Sequence, residues 1–107
     1  MKLIMAIVSG DDSSKVSRAL TKSNFSVTKL ATTGGFLMAG NTTFLVGTED
    51  DKVDEVIEVL RTNCKTRKQM VPTSASYGVG MFSSMPVEVQ VGGATVFILD
   101  VEQFVKL

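Results

Sequence analysis

Histidine and tryptophan are missing from this 107-residue chain, cysteine occurs once and proline twice. Without histidine no Ser-His or Cys-His nucleophile pair can be assembled, nor the usual histidine metal site. The lone Cys64 has no partner for an internal disulfide and suits a reducing compartment, so a cytoplasmic location is expected. An excess of one charge is lacking as well: 11 basic residues balance 11 acidic ones, for a formal net charge of zero. The basic surplus of a DNA or RNA binder is therefore not there. No apolar run approaches the ~20 residues of a membrane span. The opening MKLIMAIVSG has neither a separate charged region nor a small-residue cleavage site, and it reads as a strand rather than a signal peptide.

What is present suits one folded domain over residues 1–107, with 44% hydrophobic residues to build a core. A chain this short is marginal alone, and oligomerisation would relieve the margin. Lys2 to Val8 is apolar after its first residue and predicts a central strand buried on both faces. Val16, Ala19 and Leu20 recur at helical spacing after Asp11 and Asp12, an aspartate being available as the cap. Phe25 to Leu30 alternates as a strand, Thr32 to Asn41 is a Gly-punctuated loop, and Thr42 to Gly47 resumes as a strand.

The second helix has the clearest pattern. Val53, Val56, Ile57, Leu60 and Cys64 form one apolar stripe, and Thr48 with Asp51 makes a capping-box-like pair at the start. Acids precede the stripe (Glu49, Asp50, Asp51) and bases end it (Arg61, Lys65, Arg67, Lys68), as the helix dipole favours. Thr66 to Val71 predicts a short polar strand, and Val87, Val89 and Val91 another, with Gly92-Gly93 as a two-residue hairpin turn leading into Ala94 to Leu99. Asp100 and Gln103 are placed to cap a last short helix. The order β-α-β-β-α-(hairpin)-β predicts an α+β, ferredoxin-like (βαββαβ) sandwich, its antiparallel sheet covered by two helices on one face. The other face needs a partner, which further copies of the same sheet would supply.

For chemistry, Cys64 on the apolar stripe reads as a structural thiol, and the acids sit where helix starts account for them, so an enzyme is not expected. Two segments stand out. In the loop after the second strand, Phe36, Leu37 and Met38 are apolar where solvated residues are usual, which points to a partner or a flat ligand. Gly34 and Gly35 leave backbone N–H groups accessible to phosphate oxygens, and Thr28, Thr32, Thr33 and Asn41 add orienting polar groups. An asparagine amide matches an adenine edge. The Pro72–Met85 loop is uncharged but carries Tyr77, Met81, Phe82 and Met85, and would suit an effector protein.

The strings MKLIMAIV, VTKLATTGGFLMAGNTTFLVGTED and VEVQVGGATVFILDVEQF resemble the cyclic di-AMP receptor proteins of the PII-like superfamily. The resemblance runs over nearly the whole chain apart from the Pro72–Met85 loop. It implies a PII-like homotrimer with three equivalent ligand sites in the clefts between subunits and a long loop after the second helix. By position it implies that Thr28, Gly35, Phe36, Leu37, Asn41, Gly47 and Phe97 line the site. Thr28 and Asn41 would address one adenine, and the Gly35–Leu37 backbone would hold phosphate. The sequence departs from the pattern at Ser26, where many members carry arginine, and in the composition of the 72–85 loop.

No cofactor, metal, DNA, RNA or membrane partner is expected. The rival reading is a conventional PII regulator binding ATP and 2-oxoglutarate. A triphosphate carries about four negative charges and calls for several Lys or Arg side chains or a metal. From Val71 onward the one base is Lys106. A cyclic dinucleotide carries two phosphodiester charges that backbone N–H groups and hydroxyls can satisfy. A trimeric adaptor without ligand is a further alternative, and a metal-tolerance protein of similar fold is disfavoured by the lack of histidine.

Overall fold

In the computed structural model, which describes residues 1–31, 40–72 and 86–107, the apolar N-terminal run forms strand β1 (Lys2–Ser9). A 3-10 turn (Gly10–Asp12) leads into helix α1 (Ser13–Lys22), then β2 (Val27–Ala31) and β3 (Asn41–Thr48). A second 3-10 turn (Asp50–Lys52) precedes helix α2 (Val53–Asn63). Strands β4 (Arg67–Pro72), β5 (Pro86–Val91) and β6 (Ala94–Asp100) follow. Strands β2, β3, β1 and β6 lie in that order in one antiparallel sheet, while β4 and β5 pair as a separate two-stranded arm. This is the ferredoxin-like βαββαβ arrangement, with an added hairpin between α2 and the last strand.

Alternation along the strands decides where the core sits. Ile4, Ala6 and Val8 of β1 and Phe44 and Val46 of β3 point to one face and are buried. There they meet Val16 and Leu20 of α1 and Val56, Leu60 and Cys64 of α2. Each of the larger side chains (Ile, Val, Leu, Phe) contributes about 1.5–3 kcal/mol through removal from water. Both apolar helix stripes thus serve the same sheet face. The opposite parity is left open. Leu3, Met5 and Ile7 are half-buried, Leu30, Phe97 and Leu99 exposed, so β1 is central but not covered on both faces as its apolar run suggests. The side chains of an apolar strand say that two faces exclude water, not that one chain supplies both covers.

Four local expectations are corrected. Asp12 occupies the N-cap position of α1, but its side chain makes no cap bond; it pairs with Arg67 instead. The Thr48–Asp51 capping box does not form, because Thr48 ends β3 with its side chain buried and α2 starts only at Val53 after the 3-10 turn. Gly92 and Gly93 have φ of 88° and 75°, the left-handed backbone that glycine tolerates. They do not join two paired strands, however. β5 pairs back onto β4 and β6 onto β1, so the two glycines carry the chain from the arm to the sheet. No helix follows Asp100; Val101 N–H donates to the Met1 carbonyl and the remaining residues are irregular. No helix among the described residues is long and apolar enough to cross a membrane.

Candidate functional site

The register of the sheet places the sequence-predicted residues. Thr28 is opposite Leu45, which is opposite Met5, which is opposite Phe97. Gly47 is opposite Leu3, and Asn41 opposite Ser9. Residues 41, 43, 45 and 47 share one side of β3, because side chains alternate along a strand. Thr28, Asn41, Gly47 and Phe97 therefore all lie on the open face, away from the helices. Gly35, Phe36 and Leu37, with Thr32, Thr33, Gly34 and Met38, fall outside the described residues, as does the 73–85 part of the uncharged loop.

The four fall into two groups. Thr28, Asn41 and Gly47 sit on the β2–β3 side, whereas Phe97 is on β6 at the far edge. Three strand spacings separate Thr28 from Phe97, roughly 14 Å. Half-buried Leu45 and Met5 lie between, so a single chain offers a flat apolar surface rather than a cleft joining the two groups.

Beside Gly47 the surface is concave. A depression of about 410 Å³ is bordered by Asn24, Phe25, Ser26, Gly47, Glu49 and Lys52 among others. Asn24, at φ 69°, turns the chain from α1 toward β2 and brings Ser26 to this rim. At Gly47 a Cβ would meet no atom within 4 Å. Packing inside the chain thus does not demand glycine there, and its bareness leaves room for another molecule to approach the strand closely. The Met1 ammonium lies 2.9 Å from Asp50 at the same end of the sheet, and that hydrogen bond holds the Asp50 carboxyl below its usual range. Ser26 puts a neutral hydroxyl on the rim, so the cations nearby are the chain terminus and Lys52.

Phe97 is 52% exposed, too much for an aromatic side chain that serves only its own core. At the end of the same strand Asp100 accepts a hydrogen bond from Lys2 Nζ of neighbouring β1, and the bond raises the lysine pKa. Cys64 is buried at the end of α2, where burial pushes its thiol up to about 11. A nucleophilic thiolate is thereby disfavoured. Among the described residues no three His, Cys, Asp or Glu side chains gather as a metal site would require.

Sequence reasoning missed the Asp12–Arg67 pair and the Ser26–Gly47 depression. Residues 55 positions apart carry no local signal of contact, and an aspartate before a helix reads naturally as a cap. The Asn24 turn, by contrast, had a detectable cue, since asparagine tolerates the left-handed region.

Comparison with known proteins bears on the fold and the family. A solved structure, that of a functionally unknown protein from Pediococcus pentosaceus ATCC 25745, is 42% identical with a TM-score of 0.75, the match covering 99% of this chain and 96% of that one. The family model for the cyclic-di-AMP receptor matches residues 1–107, the entire sequence. The chain belongs to the cyclic-di-AMP receptor family.

Proposed function

We propose that this protein is a non-catalytic cytoplasmic sensor, one PII-like domain that forms a homotrimer and binds cyclic di-AMP in the clefts between subunits. The observation that carries the reading is the separation of Thr28, Asn41 and Gly47 from Phe97 by the width of an uncovered sheet. A ring of three copies places the β6 edge of one beside the β2–β3 side of the next, so that both groups face one ligand. The same packing covers Leu3, Met5, Ile7, Leu45 and Leu99, an apolar face that water would otherwise meet.

Within each cleft, Asn41 and Thr28 address an adenine edge, Phe97 stacks, and the Gly35–Leu37 backbone with Phe36 and Leu37 holds the phosphodiester and second base. Occupancy is passed to an effector protein through the 72–85 loop. Isothermal titration with cyclic di-AMP, cyclic di-GMP and ATP, alongside light scattering, tests this directly. The expected result is three times the chain mass, one cyclic di-AMP per chain and only modest salt dependence, because few ion pairs form. A monomer, or tight ATP binding without cyclic di-AMP binding, overturns it in favour of a conventional PII-type regulator or an adaptor.

A further inference from the structure

We infer that the Gly10–Asp12 turn mechanically couples the end of the candidate ligand loop to the β4–β5 arm, with the Asp12–Arg67 ion pair as the link. The inference rests on the receptor reading for the identity of the ligand, but the link itself is a matter of geometry.

Three connections make it. At the ligand side, the Gly10 N–H donates to the Gly40 carbonyl at 2.9 Å, and Gly40 directly precedes Asn41. Within the turn, Ser9 Oγ accepts from the Asp11 N–H at 3.3 Å and Ser13 Oγ donates to the Gly10 carbonyl at 3.0 Å, so the turn moves as a unit. At the arm side, Arg67 Nη2 donates to Asp12 Oδ1 at 3.0 Å, with Nη1 3.4 Å from Oδ2.

Arg67 opens β4, and β4 and β5 belong to no sheet but their own. The Arg67 side chain ties the arm to the body through its hydrogen bonds to Asp12. Its backbone returns to the body through Gly93, whose N–H donates to the Cys64 carbonyl. A Cβ at Gly92 would lie 2.3 Å from the Lys65 carbonyl oxygen and 2.8 Å from Arg67 Nη1, so the junction is filled. Arg67 Nη1 also donates to that Lys65 carbonyl at 3.2 Å, which orients the guanidinium.

The Asp12 carboxylate is 5% exposed and cannot exchange its partner for water without cost. A displacement at Gly40 therefore carries the turn, and the turn carries the arm base or loses the pair. Coupling of this kind needs a contiguous set of bonds with two arrangements that ligand can bias. Arg67 here is a positioning residue, on a strand outside the sheet that carries Thr28 and Phe97.

Amide exchange by NMR, on the whole chain, tests it with Arg67→Gln, Arg67→Lys and Asp12→Asn. Arg67 is 44% exposed, so its variants should fold, and Asp12→Asn keeps the side-chain shape. Without ligand, Arg67→Gln and Asp12→Asn should speed exchange of the Gly10 amide roughly fivefold or more, with partial recovery in Arg67→Lys. An unchanged Gly10 amide overturns the link. With cyclic di-AMP, the parent's β4 amides should slow, and Arg67→Gln should lose that slowing while calorimetry still detects binding. Equal slowing in parent and Arg67→Gln overturns the coupling while leaving the receptor reading intact. No binding by the parent overturns the receptor reading and the ligand-driven part of the coupling together, whereas the ligand-free result still decides the link.

Discussion

Thr28 and Phe97 stand at the two ends of one row across the open sheet face, with Leu45 and Met5 between them. In a site between subunits, Thr28 of one chain and Phe97 of the next are expected to meet one ligand. Two variants that each lose one half of the site should then rescue one another. Asn41→Ala and Phe97→Ala chains, co-expressed with different tags and purified as mixed assemblies, should regain roughly a third of the parent sites, because each mixed ring of three has one junction that joins two intact halves. Sites built within single chains would regain none.

Single substitutions should separate binding from folding. Asn41→Ala and Phe97→Ala are each expected to weaken cyclic di-AMP binding by about 1–3 kcal/mol, the scale of a bidentate base contact or a lost stack. Gly47→Val should weaken it at least as much, because its Cβ projects into open space that a close-packed ligand or subunit would fill. Thermal midpoints of all three should stay within a few degrees of the parent, and parent-like calorimetry in all three would move the site elsewhere.

Assembly should depend on the uncovered face. Leu45→Glu places a charge in the middle of that face, where burial between copies would leave it without a partner. Light scattering should report a shift from trimer to monomer, with the far-UV circular dichroism unchanged. A Leu45→Glu trimer would exclude this face as the interface.

The Cys64 thiol should behave as a buried, neutral group. Its pKa is raised from 9.0 to about 11, chiefly by burial and further by the charge of Asp12. The folded state therefore holds its proton more tightly than the unfolded chain. This contribution to stability is fully present below pH 9 and is lost as pH rises from 9 toward 11. Urea midpoints should fall over that window, and the fall should be smaller in Cys64→Ala. Thiol-reagent labelling at pH 8 should be slow in buffer and fast in urea; equal rates would contradict the burial.

Much of the architecture was legible in the sequence because it depends on local periodicity. The Val56, Leu60 and Cys64 stripe, the alternation along β3 and the apolar β1 run determine which elements form and which sides are apolar. The resemblance carried by Thr28 to Thr43 also pointed to the family that the whole-chain match shows. Tertiary structure decided the rest. Gly92-Gly93 reads as a hairpin turn locally, but the partner of each adjoining strand is chosen by long-range pairing, β5 to β4 and β6 to β1. Asp12 reads as a cap, but Arg67, 55 residues on, offers its carboxylate two donors rather than one backbone N–H. The polar groups of Thr28 and Asn41 suggested ligand contacts from the sequence, and the family resemblance added Gly47 and Phe97. That the four share one face, with Phe97 three strands away from Thr28, follows only from the order and register of the strands.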